Sequence, residues 1–86
     1  MTEQALAKAS ELAPIIERVH GEHHPELTRV RELTELIANA DGADVAPYFA
    51  ELRTVTSNYA IPDDVCETFE ATYAALEQAE SELVNQ

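Results

Sequence analysis

Four stretches of this chain repeat apolar residues at intervals of three and four, and each stops at a helix breaker, so few folds other than packed helices are open to it. In the first stretch Leu6, Ala9, Ala13, Ile16 and Val19 are the inward positions, Thr2 is the expected cap and His20-Gly21 the expected end. Pro14 falls inside it; a proline there removes a backbone donor and crowds the preceding turn, which predicts a kink or break near Leu12. In the second, Pro25 after His24 occupies the first helical position, Leu27, Val30, Leu33, Thr34 and Ile37 define the face, and Ala40-Asp41-Gly42 is the stop.

The third stretch opens at Asp44, whose carboxylate suits the free N-H groups of a first turn in which Pro47 is tolerated. Its stripe reads Val45, Tyr48, Phe49, Leu52, Val55 and Tyr59, ending at Ile61-Pro62. In the fourth, Asp64 with Glu67 reads as a capping box, followed by Val65, Phe69, Thr72, Leu76, Ala79 and Leu83. No useful length alternates with period two, so no strand is expected. The connections are short, which favours antiparallel neighbours and hence an all-α, antiparallel up-down-up-down four-helix bundle. Residues 1–86 form a single domain in this reading, with no repeat, linker or low-complexity tract to divide it.

Charge narrows the function classes. Seventeen Asp and Glu stand against four Arg and Lys8, for a net charge of -12. Binding a phosphate backbone needs cations that displace counterions, so no nucleic acid is expected, and the same field opposes anionic membrane surfaces. No apolar run approaches the roughly 18 residues of a membrane span, and the first residues lack the basic start and apolar block of a signal peptide, so a cytoplasmic protein is expected. Low Lys with abundant Glu also suits a salt-adapted cytosol. Cys66 is the one cysteine; it has no internal disulfide partner and reads first as a packing residue near the start of the last helix, with a redox role as the alternative.

Two segments carry a further signal. Val19-His20-Gly21-Glu22-His23-His24-Pro25-Glu26-Leu27 followed by Arg31-Glu32-Leu33 is one; Leu52-Arg53 with Thr56, Tyr59, Pro62, Cys66, Thr68, Tyr73, Leu76 and Leu83 is the other. Over roughly residues 15–37 and 49–85 they resemble the hemerythrin-like domain of the iron-sulfur cluster repair di-iron proteins. The Thr-x-x-Tyr-x-x-Pro-x-x-x-Cys spacing across a helix break is the more specific part. The resemblance implies a shortened hemerythrin-like bundle from which the metal-binding end is missing. In that family the iron ligands cluster at the start of helix one, the end of helix two, the start of helix three and the end of helix four. Here Asn39-Ala40-Asp41-Gly42 stands where the family continues into a His-bearing segment, Asp44 lacks the family's Glu-His pair, and Gln86 falls about where a ligand His is expected. No family iron ligand is carried over to a residue of this chain. His20 matches a recurrent family histidine at the opposite turn, about 20 residues or roughly 30 Å of helix away from the iron end.

A local metal site is weighed on its own residues. Glu17-x-x-His20 puts a carboxylate and an imidazole on one helix face, the pair from which bundle di-metal centres are built, and His23 and His24 follow. Only one such pair exists, so a centre from Glu17, His20, His23 and His24, with iron or zinc as the ion, would need to be assembled between chains; alternatively His20, His23 and His24 could take a single zinc, nickel or copper ion, although the chain offers no evident closed ligand set. Otherwise His20 closes the first helix, His24 caps the second and His23 faces solvent; a pH-sensitive role for the three imidazoles is the remaining reading. Glu67, Glu70, Glu77 and Glu80 read as one solvated side of the fourth helix, or as a face for a basic partner. The serines have no base and oxyanion arrangement around them, and there is no phosphate loop.

These readings predict no enzyme and no resident cofactor. They predict a small acidic interaction, regulatory or accessory module that works through a protein partner or as a homodimer; as an accessory subunit beside a full-length repair protein it would share that protein's stress pathway. Apolar helix tips around Leu36, Ile37 and Val45 are expected to be exposed at the shortened end. A metal protein handling iron, oxygen or nitric oxide is the alternative.

Overall fold

The computed structural model describes residues 2–40 and 44–84, with side chains from residue 4 onward. Four α-helices follow in order: α1 Thr2–His20, α2 Glu26–Ala38, α3 Ala46–Val55 and α4 Glu67–Leu83. Helix α1 packs along both α4 and α2, and α2 packs along α3, so the chain is a four-helix bundle with α1 and α2 at its centre. The long axis of 34 Å suits the 19 residues of α1, about 28 Å of helix.

Each helix buries the face that its apolar spacing dictates, with instructive exceptions. All five expected positions of α2 are buried: Leu27, Val30, Leu33, Thr34 and Ile37. In α1 the buried line is Ala5, Ala9, Ala13 and Ile16, whereas Leu6 is only half-buried and Val19 is 61% exposed. The 3.6-residue period carries the stripe from Ile16 to His20, and Val19 therefore turns outward. The three alanines leave little side-chain bulk between α1 and the helices beside it. Pro14 is exposed and α1 runs through it unbroken, so the expected break does not occur. The Thr2 side chain, the Asp41-Gly42 stop and Gln86 lie outside the described residues.

Helix α2 starts one residue after Pro25, which already has helical dihedrals, and ends at the Asn39 cap. His24 does not cap it with its side chain; the His24 carbonyl accepts from Leu27 N-H instead. Asp44 accepts from the Ala46 N-H at 3.0 Å, although the cap residue proper is Val45. Helix α3 stops at Val55, well before Ile61-Pro62, because Ser57, Asn58 and Tyr59 all adopt left-handed dihedrals with φ of 55°, 61° and 63°. The Thr56 hydroxyl holds that turn, donating to the Leu52 carbonyl at 2.6 Å and accepting from the Tyr59 N-H at 2.9 Å. Asn58 N-H reaches back to the Arg53 carbonyl.

The turn drops Tyr59 into the interior beside Tyr73, with ring centroids 6.3 Å apart. Its hydroxyl donates to Glu80 Oε1 at 3.0 Å, and Arg53 donates to the other carboxylate oxygen at 2.7 Å while lying over the Tyr59 ring. Glu80 is therefore buried, not part of the solvated face with Glu67, Glu70 and Glu77. It follows Tyr73 by two turns and Leu76 by one, so it belongs to the core-facing side of α4. Leu83 at the far end is 37% exposed.

Candidate functional site

The two turns at one end of the bundle meet across the start of α4. Gly21 lets the first turn close: its N-H bonds to the Glu17 carbonyl at 2.8 Å, and a Cβ at this position would run into that same carbonyl oxygen. The His23 and His24 N-H groups then satisfy the His20 carbonyl. His20, last residue of α1, is half-buried at the end of the α1 stripe and faces the start of α4, while residues 56–66 return the chain so that Cys66 is the cap residue of α4.

His20 Nε2 lies 3.2 Å from Cys66 Sγ. Below this pair Phe69 meets His20 and His24 edge-on, with ring centroids 5.6 Å away in each case, and lies tilted at 53° against Tyr73 with centroids 4.6 Å apart. His24 Nε2 lies within hydrogen-bond distance of Asp64 Oδ1 at 3.0 Å, and its Nδ1 is 3.3 Å from Glu26 Oε2. Thus two side-chain links tie the first turn to the second.

Electrostatics single out the sulfur. Cys66 is exposed, and its thiol is brought down to about 7, chiefly by the His20 hydrogen bond and then by the Phe69 backbone N-H. An imidazole and the free N-H groups of a helix start both stabilise a thiolate, which is the nucleophilic form. Asp64 is held below its ordinary range by the hydrogen bond to His24. The capping box expected for Asp64 and Glu67 is absent: α4 begins at Glu67 with Cys66 as its cap residue, two positions beyond Asp64, and Asp64 faces His24 instead.

The four residues considered for a metal have different occupations. Glu17 is lowered below the usual carboxylate range by the Thr28 hydroxyl and then by Arg31, whose Nε lies 2.6 Å from it. His20 faces Cys66, His24 sits between Asp64 and Glu26, and His23 is exposed. Among the described residues no three His, Cys, Asp or Glu side chains converge as metal ligands would. The donors present in the described residues therefore do not fit the di-iron group of the resembled family.

The residues missed from sequence are the Asp64 partner of His24 and the pairing of Cys66 with His20. One signal existed, since His20 is four residues beyond Ile16 on the α1 stripe and Cys66 three before Phe69 on that of α4. The apolar tips expected at the other end are mostly covered: Ile37 is buried, Val45 packs against the core, and Leu36 alone of the three is exposed. No described helix is long and apolar enough to cross a membrane. The chain matches no family model, no curated protein and no solved structure.

Proposed function

We propose that this protein is a small, acidic, non-catalytic regulatory or accessory module, a shortened relative of the hemerythrin-like iron-sulfur repair proteins, with Cys66 as its responsive group. The observation that supports this reading is the exposed Cys66 thiol facing His20 at 3.2 Å on the first turn of α4. A thiolate so placed reacts with electrophiles and oxidants at neutral pH, and capping it removes the His20 contact that joins α1 to α4. In the stress pathway that the resemblance implies, modification of one sulfur would thereby change the surface where the two turns meet, and with it the module's association with a protein partner.

Alkylation of Cys66 with iodoacetamide, followed by mass across pH, tests the thiol. The thiolate fraction rises with pH, so the rate is expected to have its midpoint near 7 and to move up toward the ordinary thiol range, about 8.5, in His20→Ala. A midpoint already at the ordinary value, unchanged by that substitution, would remove the proposed responsive group. Light scattering and partner capture with free and alkylated protein test the module itself. Loss or gain of association on alkylation is the expected result; a chain that stays monomeric and captures nothing in either state contradicts it.

A further inference from the structure

The structure leaves one seam of the bundle open. Among the described residues α3 does not pack along α4; the two are joined at the Arg53, Tyr59 and Glu80 cluster. Beside that cluster a depression of about 440 Å³ lies between Ile61 and α4, and a second of about 480 Å³ follows it along α4. Both are lined by Ala74 and Glu77, so the two adjoin as a shallow, open trough along α4. It runs from Glu67 to Ser81, about 21 Å of helix.

The lining has two chemical characters. Ile61 is 42% exposed and lines the trough together with the small side chains of Ala71 and Ala74, which gives it an apolar part. Glu67, Glu70 and Glu77 line it as well, and none forms an ion pair among the described residues. The cation lining the trough, Arg53, is held by Glu80 and also lies within electrostatic reach of Glu77, so Glu67 and Glu70 are the carboxylates left most open to a partner.

We propose that this trough is a docking site for a basic amphipathic helix from another protein. The argument rests on reading the chain as an interaction module and on charge complementarity. Carboxylates at positions 67, 70 and 77 repeat along one helix face, so they match Lys or Arg residues at helical spacing on a facing segment, whose apolar residue meets Ile61. About four turns of helix fill the length. A second copy of this chain is the wrong occupant: each copy carries a net charge of -12, and Lys8 and Arg18, which form no salt bridge among the described residues, lie on α1 ten positions apart, so self-association would set carboxylates against carboxylates.

The probe is a synthetic helical peptide of about 14 residues, with three lysines spaced to face positions 67, 70 and 77 and one leucine to face Ile61. A scrambled peptide of identical composition is the control. Binding is read by titration calorimetry and by amide chemical shifts on the full-length reduced protein. The designed peptide is expected to bind at least about fivefold more tightly than the scrambled one and to shift Ile61 and the residues from Glu67 to Ser81. The triple variant E67Q/E70Q/E77Q, surface changes that should leave the fold intact, is expected to weaken it by about tenfold, and Ile61→Ser by about threefold.

Equal binding of the two peptides, shifts spread over the other acidic faces, or no loss in the triple variant would overturn the site. Self-association that the triple variant relieves would overturn the choice of occupant. Association that depends on Cys66 alkylation while the peptide fails to bind would sink the trough and leave the regulatory reading standing. The reverse pair of results would do the opposite.

Discussion

Glu80 is the residue whose surroundings differ most from its type. A carboxylate on a bundle helix belongs in water, yet this one is buried and answered by one hydroxyl and one guanidinium. Burial pushes the Tyr59 hydroxyl upward, and its bond to Glu80 adds to the effect. The pair is satisfied only while Arg53 stays in place. Arg53→Ala leaves the charge with a single neutral donor, and urea unfolding is expected to show a loss of about 1–3 kcal/mol.

Cys66 is the other such residue. Its thiol is lowered in the folded chain, so its stabilising contribution is complete above the unfolded thiol range, near 8.5, and is lost as pH falls through about 7. Stability that rises between those values in the native protein, and does not in Cys66→Ser, is the expected pattern in pH-dependent melting.

At the scale of elements, two segments hold conformations that their residues do not favour. Proline in a helix interior forfeits the N-H that would bond the carbonyl four residues back, here that of Ser10, yet α1 passes through Pro14 as one helix. Packing against α2 and α4 on the opposite side holds it, since Pro14 itself is exposed. Pro14→Ala should restore the missing donor and raise stability by about 1–3 kcal/mol. A loss instead would mean that the shape proline imposes is built into the fit with the neighbouring helices.

The second segment is the left-handed run at 57–59. Each non-glycine residue in that region costs roughly 1–2 kcal/mol, although asparagine tolerates it better than serine or tyrosine. The Thr56 hydroxyl and the burial of Tyr59 offset the cost. Ser57, exposed and without a part in those bonds, is the place to relieve it: Ser57→Gly is expected to raise the melting temperature, by an amount equivalent to about 1 kcal/mol.

Over the whole molecule, charge opposes compaction. Salt bridges engage Arg29, Arg31 and Arg53 with glutamates, yet seventeen acidic groups against five cations leave a net charge of -12 that repels itself. Raising salt from about 10 mM to about 1 M shrinks the Debye length from roughly 30 to 3 Å, so the melting temperature should climb over that range. A flat or falling curve would show that the exposed ion pairs, weakened by the same screening, outweigh the repulsion.

Helix number, type and most buried positions were legible in the chain itself, because a 3.6-residue period selects one face and prolines, glycines and aspartates punctuate it. The face of α2 was read completely, and Phe69, Thr72, Leu76 and Ala79 on α4 equally so. Val19 was misread because a three-residue step and a four-residue step look alike at the end of a stripe, and the choice between Val19 and His20 depends on which helix lies opposite. Glu80 was misread because a glutamate carries no mark of burial until Arg53 and Tyr59 are beside it.

The site belonged almost wholly to the tertiary structure. Local periodicity dictated four helices and their inward faces, since these follow from the backbone's own geometry. The meeting of His20 with Cys66, 46 positions apart, and of His24 with Asp64, 40 apart, was settled only when the two turns closed over Phe69, because side-chain contacts between distant segments depend on where the packed helices place their ends.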